Sequence, residues 1–512
     1  MKKKLLLLTM LFVMVFALAG CGKKSEVGAS DVHSVDDLEG STIGVQQGTT
    51  GEIYVSDYEG DDAGTVVERY KACQDAITSL KNGNIDCVVI DEQPAKAFVA
   101  RNSDLSILEE EFAVEEYAIA IAKENTELEG QINAALKELK EEGTLDKIIK
   151  AYISDDEDDA YTYVSPEGID YSNGTLVMAT NATFPPYEYY DATISAKYSD
   201  AHSTNEVVGI DAEMMMAICD KLGMKLEISN MDFDSIIIAV QTGQADVGVA
   251  GMTVTEERLE NVNFSDPYTT ATQVIVVRNG GKSSTASFVD SFKQSFSEGR
   301  YKYILVGLRN TLIIAFCAVI IGIIIGFIIA IIRATHDLNG NLKILNLIAK
   351  LYLTVIRGTP TMIQLLIAYY VIFASADANK ILVASLAFGI NSGAYVAEII
   401  RGGIMSLDRG QFEGARSLGL TYGQTMRFII LPQALKNTLP ALANEFIVLI
   451  KETSISGYIG LQDLTMGGNI IRGITYQAFF PLIAVAVIYL FIVLLLELGV
   501  GKLERSLKKN ER

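Results

Sequence analysis

The sequence has little of what builds metal centres. It holds three histidines in 512 residues, and its five cysteines are scattered, with no two at CxxC spacing. A zinc site needs convergent ligands at short, regular spacings, and a disulfide framework needs clustered cysteines, so neither is indicated. Positive charge is also short: 42 Lys and Arg face 63 Asp and Glu, a formal net charge of −21. Nucleic acid is held through phosphates by Lys and Arg, so that partner class is excluded. A nucleotide-binding loop is missing as well. Gly281-Lys282-Ser283 ends like one, but position 276 is Val where the first glycine is needed.

What is present is segregated. Hydrophobic residues make up 49% and mean hydropathy is +0.27, despite the acidic balance. An acidic soluble part and an apolar membrane part reconcile the two, and the length suggests two or three units. Lys2, Lys3 and Lys4 precede a short apolar stretch, Leu5 to Ala19, ending in Leu18-Ala19-Gly20-Cys21. This resembles a lipobox, so residues 1–21 read as a lipoprotein signal peptide with Cys21 as lipid anchor. One lipid chain anchors only marginally and would be a second anchor beside membrane spans. Residues 22–37 read as a tether. Residues 38–153 alternate short apolar strands, such as Ile43-Gly44-Val45 and Cys87 to Ile90, with helical patterns, the last over Ile132 to Tyr152. The acidic linker 154–173 carries Asp155 to Asp159, a solvated run with no Gly-centred calcium loop. A second α/β segment spans 174–279, with strands at Thr175–Ala179, Leu226–Ser229 and Val247–Ala250 and helices at Asp211–Leu222 and Ser235–Gln241. The two segments share a local repeat, Ile77 to Asp86 against Ile237 to Asp246, each a helix ending near a Gly before an Asp and a strand.

After a linker at 280–302, residues 303–508 change character. Apolar spans run Tyr303 to Ile332, about Ile344 to Phe373, Ile381 to Ile400, Ile430 to Ile450, and Phe479 to Val500. Each crosses a hydrocarbon core of about 30 Å, so about five membrane helices are expected. Basic residues follow the first span (Arg333, Lys343, Lys350), the third (Arg401, Arg409, Arg416, Arg427) and the fifth (Lys502, Arg505, Lys508, Lys509). The first span therefore runs from outside to inside, with the α/β part extracellular, the side the lipobox also requires.

Between the third and fourth spans stands Glu413-Gly414-Ala415-Arg416-Ser417-Leu418-Gly419, then nine residues, then Ile429-Ile430-Leu431-Pro432. It resembles the coupling signature of ABC importer permeases, Glu-Ala-Ala, three residues, Gly, nine residues, Ile-x-Leu-Pro, with Gly414 at the first Ala. Arg357-Gly358-Thr359-Pro360-Thr361-Met362-Ile363-Gln364-Leu365 is similar to the amino-acid branch of those permeases, which usually has a Glu three residues before the Arg; this chain has Thr354. That resemblance covers Tyr303 to Lys508.

The second α/β segment is similar to the first lobe of polar amino-acid-binding proteins through Ala179-Thr180-Asn181-Ala182-Thr183-Phe184-Pro185-Pro186-Tyr187-Glu188, Asp232-Phe233-Asp234, and Gly251 to Arg258 followed by Phe264 to Tyr268. The first segment resembles their second lobe through Val45 to Gly51 and Asp86 to Asp91. The family order is the reverse, so the domain looks circularly permuted. The resemblance implies that Arg258 clamps an α-carboxylate, that Thr253 and the backbone near Gly251 share the carboxylate and α-amino group, that Asp91 pairs with the α-ammonium, and that Thr50 donates to the carboxylate. It implies that Phe184 and Phe233 flank the ligand, with Tyr187 on the same wall. Asn181, where basic-ligand members often have Asp, leans to neutral ligands such as glutamine.

The expected fold is thus an α/β two-lobed, type II periplasmic-binding-protein-like domain followed by an all-α membrane domain of the type I ABC importer fold. The expected function is import of a polar amino acid across the cell membrane. Glu413, Gly414, Ala415 and Gly419 would meet a separate ABC ATPase that uses ATP and magnesium, with two ATPase copies and two copies of this chain. The chain itself needs no cofactor and no metal, and its remaining partner is membrane lipid. A glutamate-receptor-like channel and a membrane-anchored amino-acid sensor are the alternatives. In the channel the membrane segments interrupt the clamp, whereas here they follow it.

Overall fold

The computed structural model describes residues 28–509 apart from 60–63, 111, 155, 157–158, 280–287, 375–378 and 476. Cys21 and the leader lie outside the described residues, as does most of the acidic run. The chain divides into two compact units, 1–115 with 270–286 and 116–269 with 287–512. Its strands among the described residues are β1 (Thr42–Gln46), β2 (Val66–Tyr70), β3 (Cys87–Asp91), β4 (Leu105–Ile107), β5 (Ala113–Tyr117), β6 (Ala120–Ile121), β7 (Thr175–Thr180), β8 (Tyr189–Tyr190), β9 (Val207–Val208), β10 (Lys225–Asn230), β11 (Val247–Gly248), β12 (Asn263–Phe264) and β13 (Thr269–Arg278).

The first unit holds a sheet in the order β2-β1-β3-β13-β4, with β5 also on β13. β1 is parallel to β2 and β3, and β13 is antiparallel to β3 and β4. Parallel neighbours need a crossover, and the helices Thr50–Ser56 and Cys73–Asn82 supply it. Ile43, Val45, Val67, Val89, Ile275 and Val277 meet Leu38 in its core.

The α/β part of the second unit has the order β10-β7-β11-β6-β12. Here the segment boundaries differ from the sequence expectation. Residues 116–153, grouped above with 38–115, pack with the second α/β segment, and 270–278 belong to the first unit. β6 fills the slot between β11 and β12, and Tyr152 donates its hydroxyl to Glu213 at 2.7 Å. Strand exchange of this kind leaves no mark in linear hydrophobic patterning, because each strand is apolar whichever sheet receives it. The Gly83 and Gly243 of the repeat both adopt the left-handed conformation, at φ 73° and 70°. His202 is a staple of the fold: Nδ1 accepts the Leu226 N–H at 2.9 Å, and Nε2 faces Asp220 at 3.0 Å.

Three described helices are long and apolar enough to cross a membrane: Tyr301–Asn339, Lys380–Met405 and Phe479–Leu503. The expected span from 344 to 373 is instead two helices, Lys343–Gly358 and Thr361–Ile372, bent by 106°, a fourth crossing if the pair counts as one. The corner is written into Thr359-Pro360. Proline disfavours helical geometry in the residue before it, and Thr359 sits extended at φ −118°, ψ 145°. Gln364 ties the bend, donating to the carbonyls of Ile356 at 2.7 Å and Thr359 at 3.1 Å. The expected fourth span is a helix, Leu431–Glu452. It carries Lys436, Asn437, Asn444 and Glu445, and it is not among those apolar enough by composition.

The helices Tyr301–Asn339 and Lys380–Met405 meet through small residues four apart, Gly322 and Gly326 on one, Gly389 and Gly393 on the other. Such spacing lets backbones approach closely where lipid offers no hydrophobic drive. A Cβ on Gly326 would lie 2.5 Å from Val396 Cγ1 and 2.9 Å from the Ala397 nitrogen, whereas one on Gly402 meets nothing within 4 Å. Gly326→Leu should therefore destabilise the membrane part by about 1–3 kcal/mol, as overpacking does. Thermal unfolding in detergent should show a clear drop for Gly326→Leu and none for Gly402→Leu.

Candidate functional site

In the second unit, Thr255 caps the short helix Glu256–Leu259, its hydroxyl accepting the Arg258 N–H at 3.2 Å. This turn points Arg258 inward. Arg258 is 6% exposed, and its guanidinium donates to the Thr253 carbonyl at 2.6 Å and lies 5.5 Å from the centre of the Phe233 ring. A buried guanidinium with a donor fork is suited to a carboxylate. Phe184 stacks on Tyr187 at 5.9 Å, and Tyr187 meets Tyr117 edge-on at 5.1 Å. A Cβ on Gly251 would come within 3.0 Å of both Phe184 and Tyr117. Arg258, Thr253, Gly251, Phe184, Phe233 and Tyr187 are thus brought into one wall.

Two expectations change in detail. Gly251 gives its N–H to Asp211 Oδ2 at 2.9 Å, so that donor is committed inside the fold. Asn181 bonds the Met231 carbonyl at 2.7 Å and accepts from Thr183 Oγ1 at 2.6 Å, which makes it a brace of the loop after β7. Tyr187 is buried behind Phe184.

The first unit positions the other two. Asp91 ends β3, is buried, and lies opposite Gln273 in the antiparallel pair. Thr50 donates its hydroxyl to Glu115 Oε2 at 2.9 Å, and Gln273 Nε2 reaches the same oxygen at 3.3 Å. Glu115 and Gln273 were not singled out in the sequence. In β5, Val114 is 67% exposed and Glu115 is buried, the reverse of what hydrophobic alternation suggests, so no local signal marks Glu115.

The coupling segment is a helix, Arg409–Ser417, closed by Gly419 at φ 85°. Thr421 and Gln424 form a capping box for the next turn, Tyr422–Thr425. Ala415 is buried, and Phe412 and Tyr422 pack on a core that includes Ala330, Ile400 and Met426. Glu413 and Gly419 face solvent, and Leu418 is 86% exposed. A Cβ on Gly414 meets nothing within 4 Å, so the departure from Ala there is sterically free.

Residues 176–457 match the bacterial extracellular solute-binding proteins, family 3. The chain is also similar to the putative glutamine transport system permease protein of Rickettsia typhi, 38% identical over 41% of this chain and 94% of that protein. It is 39% identical to the arginine transport system permease protein ArtQ of Bacillus subtilis, over 41% and 94%. It is 36% identical to the glutamine transport system permease protein GlnP of Escherichia coli, over 40% and 93%. Among solved structures, that of an amino acid ABC transporter with histidines is 41% identical, covering 43% of this chain and 99% of that one, with a TM-score of 0.39. The chain belongs to the amino-acid ABC transporter permeases and carries a family 3 solute-binding domain in the same polypeptide.

In this fused permease the Glu that usually precedes the Arg-Gly-Thr-Pro corner is Thr354, and Arg357 finds another partner, the ring of Tyr395 at 5.6 Å. Thr354 and Arg357 line a cavity of about 520 Å³ with Arg333, Lys350 and Glu398. Behind the binding wall, Asp211 accepts from Gly251 N–H and from Tyr268 hydroxyl at 2.8 Å, with the buried Glu188 close by. Burial pushes the Asp211 carboxyl up to about 6, against the lowering effect of its donors. The folded domain thus favours the protonated form, a contribution fully present below the unfolded value of 3.8 and lost as pH rises through about 6. In Asp211→Asn this component disappears. Relative to the unsubstituted protein, the variant's melting temperature should rise from about pH 4 to about pH 7, measured on the full chain.

Proposed function

We propose that two copies of this chain form the pathway of a polar amino-acid importer in the cell membrane, energised by two copies of a separate ABC ATPase. The observation that carries this is the coexistence, in one chain, of a solute-binding domain and a permease whose segment 409–419 turns Glu413 and Leu418 to solvent. Small residues let such a helix sit in a partner's groove, and Glu413 gives it a charged contact. The α/β part lies outside the cell, as the basic loops favour, with Cys21 as a lipid anchor. Its lobes stand in permuted order relative to the family.

Arg258 holds the cargo's carboxylate with its donor fork, assisted by Thr253 and Thr50. Asp91, with Glu115 near Thr50, supplies negative charge for the ammonium. Phe184 and Phe233 flank the aliphatic part, with Tyr187 supporting Phe184. Relatives named for glutamine and for arginine bracket the substrate class. ATP and magnesium act in the ATPase, and this chain contributes no cofactor. Closure on cargo shifts the population of lobe states, and ATP binding shifts the access of the pathway.

Arg258→Ala should cost at least about 100-fold in amino-acid affinity by calorimetry on the full chain, since a buried charged partner is removed. Near-normal affinity sinks the clamp. Glu413→Lys should leave that affinity unchanged while uncoupling transport from ATP hydrolysis in proteoliposomes containing the ATPase. Intact transport means Glu413 does not couple.

A further inference from the structure

Within the second unit, edge strand β10 lies against the ends of the membrane helices. At Gly460 any Cβ would collide with the Asn230 carbonyl oxygen. Lys380, the first residue of the helix Lys380–Met405, donates to Ser229 Oγ at 2.7 Å and to the Gly460 carbonyl at 3.3 Å. Its ammonium lies 5.9 Å from the centre of the Tyr369 ring. Gln244 donates Nε2 to the Tyr369 carbonyl. That bond fixes the orientation of the amide, because a carbonyl oxygen accepts only from the nitrogen.

Beside these contacts is a cavity of about 500 Å³, whose lining includes Glu227, Ser229, Gln244, Asn379 and Lys380. It falls within the roughly 300–1,000 Å³ of small-molecule sites. Gln244 is 3% exposed, yet its Oε1 accepts no hydrogen bond among the described residues. A buried acceptor left unmet is destabilising, so this wall is short of one donor. Lys380 offers a cation on the same wall, and the carboxylate of Glu227 offers an anion. The lining therefore presents both charges of a zwitterion together with amides.

We infer that this cavity is a second amino-acid site, where the carboxylate of a zwitterionic cargo rests on Lys380 and its N–H donors meet Gln244 Oε1 and Glu227. The inference rests on the reading of the chain as an amino-acid importer, and it adds a hand-off position between the binding lobe and the permease. Cargo leaving Arg258 would exchange one cation for another.

The chain has no tryptophan, and Ile381 borders the cavity, so Ile381→Trp gives a single tryptophan there, excited at wavelengths the tyrosines do not absorb. The full chain carrying Ile381→Trp and Arg258→Ala, in lipid nanodiscs, is titrated with each common amino acid other than tryptophan and tyrosine. At least one polar amino acid should give a saturable change, weakened about ten-fold or more by Lys380→Met. Lys380→Arg should retain it, and the same amino acid as its carboxamide should not produce it. No saturable change with any amino acid overturns the site. So does a change that survives Lys380→Met, one equal for the carboxamide, or one lost equally in Lys380→Arg. Calorimetry on Arg258→Ala alone reads the clamp separately: unweakened tight binding there counts against the clamp and not against Lys380.

Discussion

The small-residue seam between the helices Tyr301–Asn339 and Lys380–Met405 is the contact on which the membrane part depends. Gly322, Gly326, Gly389 and Gly393 remove side chains where the backbones meet, and packing is what holds helices together in lipid. The helix Lys380–Met405 has a contact at its start and a connection at its end. Lys380 at its start touches β10 of the α/β part, and Met405 at its end leads within a few residues into the helix Arg409–Ser417. At about 1.5 Å per residue, 26 residues of helix span about 39 Å. One rigid element therefore joins the surface that meets the binding lobe to the segment proposed above to meet the ATPase.

The binding half is built on a different constraint. The chain passes between the two units at 115/116 and again at 269/270, within β5 and β13. Each sheet thus takes a strand from a distant part of the sequence. Behind the second unit's wall, Asp211 binds the Gly251 backbone, and Gly251 in turn leaves room for Phe184 and Tyr117. A buried polar network of this kind fixes geometry more than it adds stability.

Local motifs were legible in the sequence. The left-handed glycines at 83 and 243 follow from residue types at short spacing, and the resemblance to amino-acid-binding proteins singled out Arg258, which is buried. The Arg-Gly-Thr-Pro corner blurred the second span, because hydropathy averages across a bend that Pro360 enforces. The exchange of 116–153 and 270–278 between units was not legible, since apolar strands do not declare their sheet. Glu115 was hidden because it is buried on a strand where Val114 is exposed. Asn181 and the Gly251 N–H looked free for a ligand, and only the fold revealed the internal partners that occupy them.

Joining a binding domain to its permease in one chain keeps the local concentration of the clamp high at the pathway mouth. Its value depends on coupling through the membrane helices. Uptake of labelled glutamine and arginine into proteoliposomes holding this chain and its ATPase tests that most directly. Accumulation against a gradient that requires ATP hydrolysis is the predicted result. ATP-independent ion current, or binding of the amino acids with no accumulation in the presence of ATP, would contradict it.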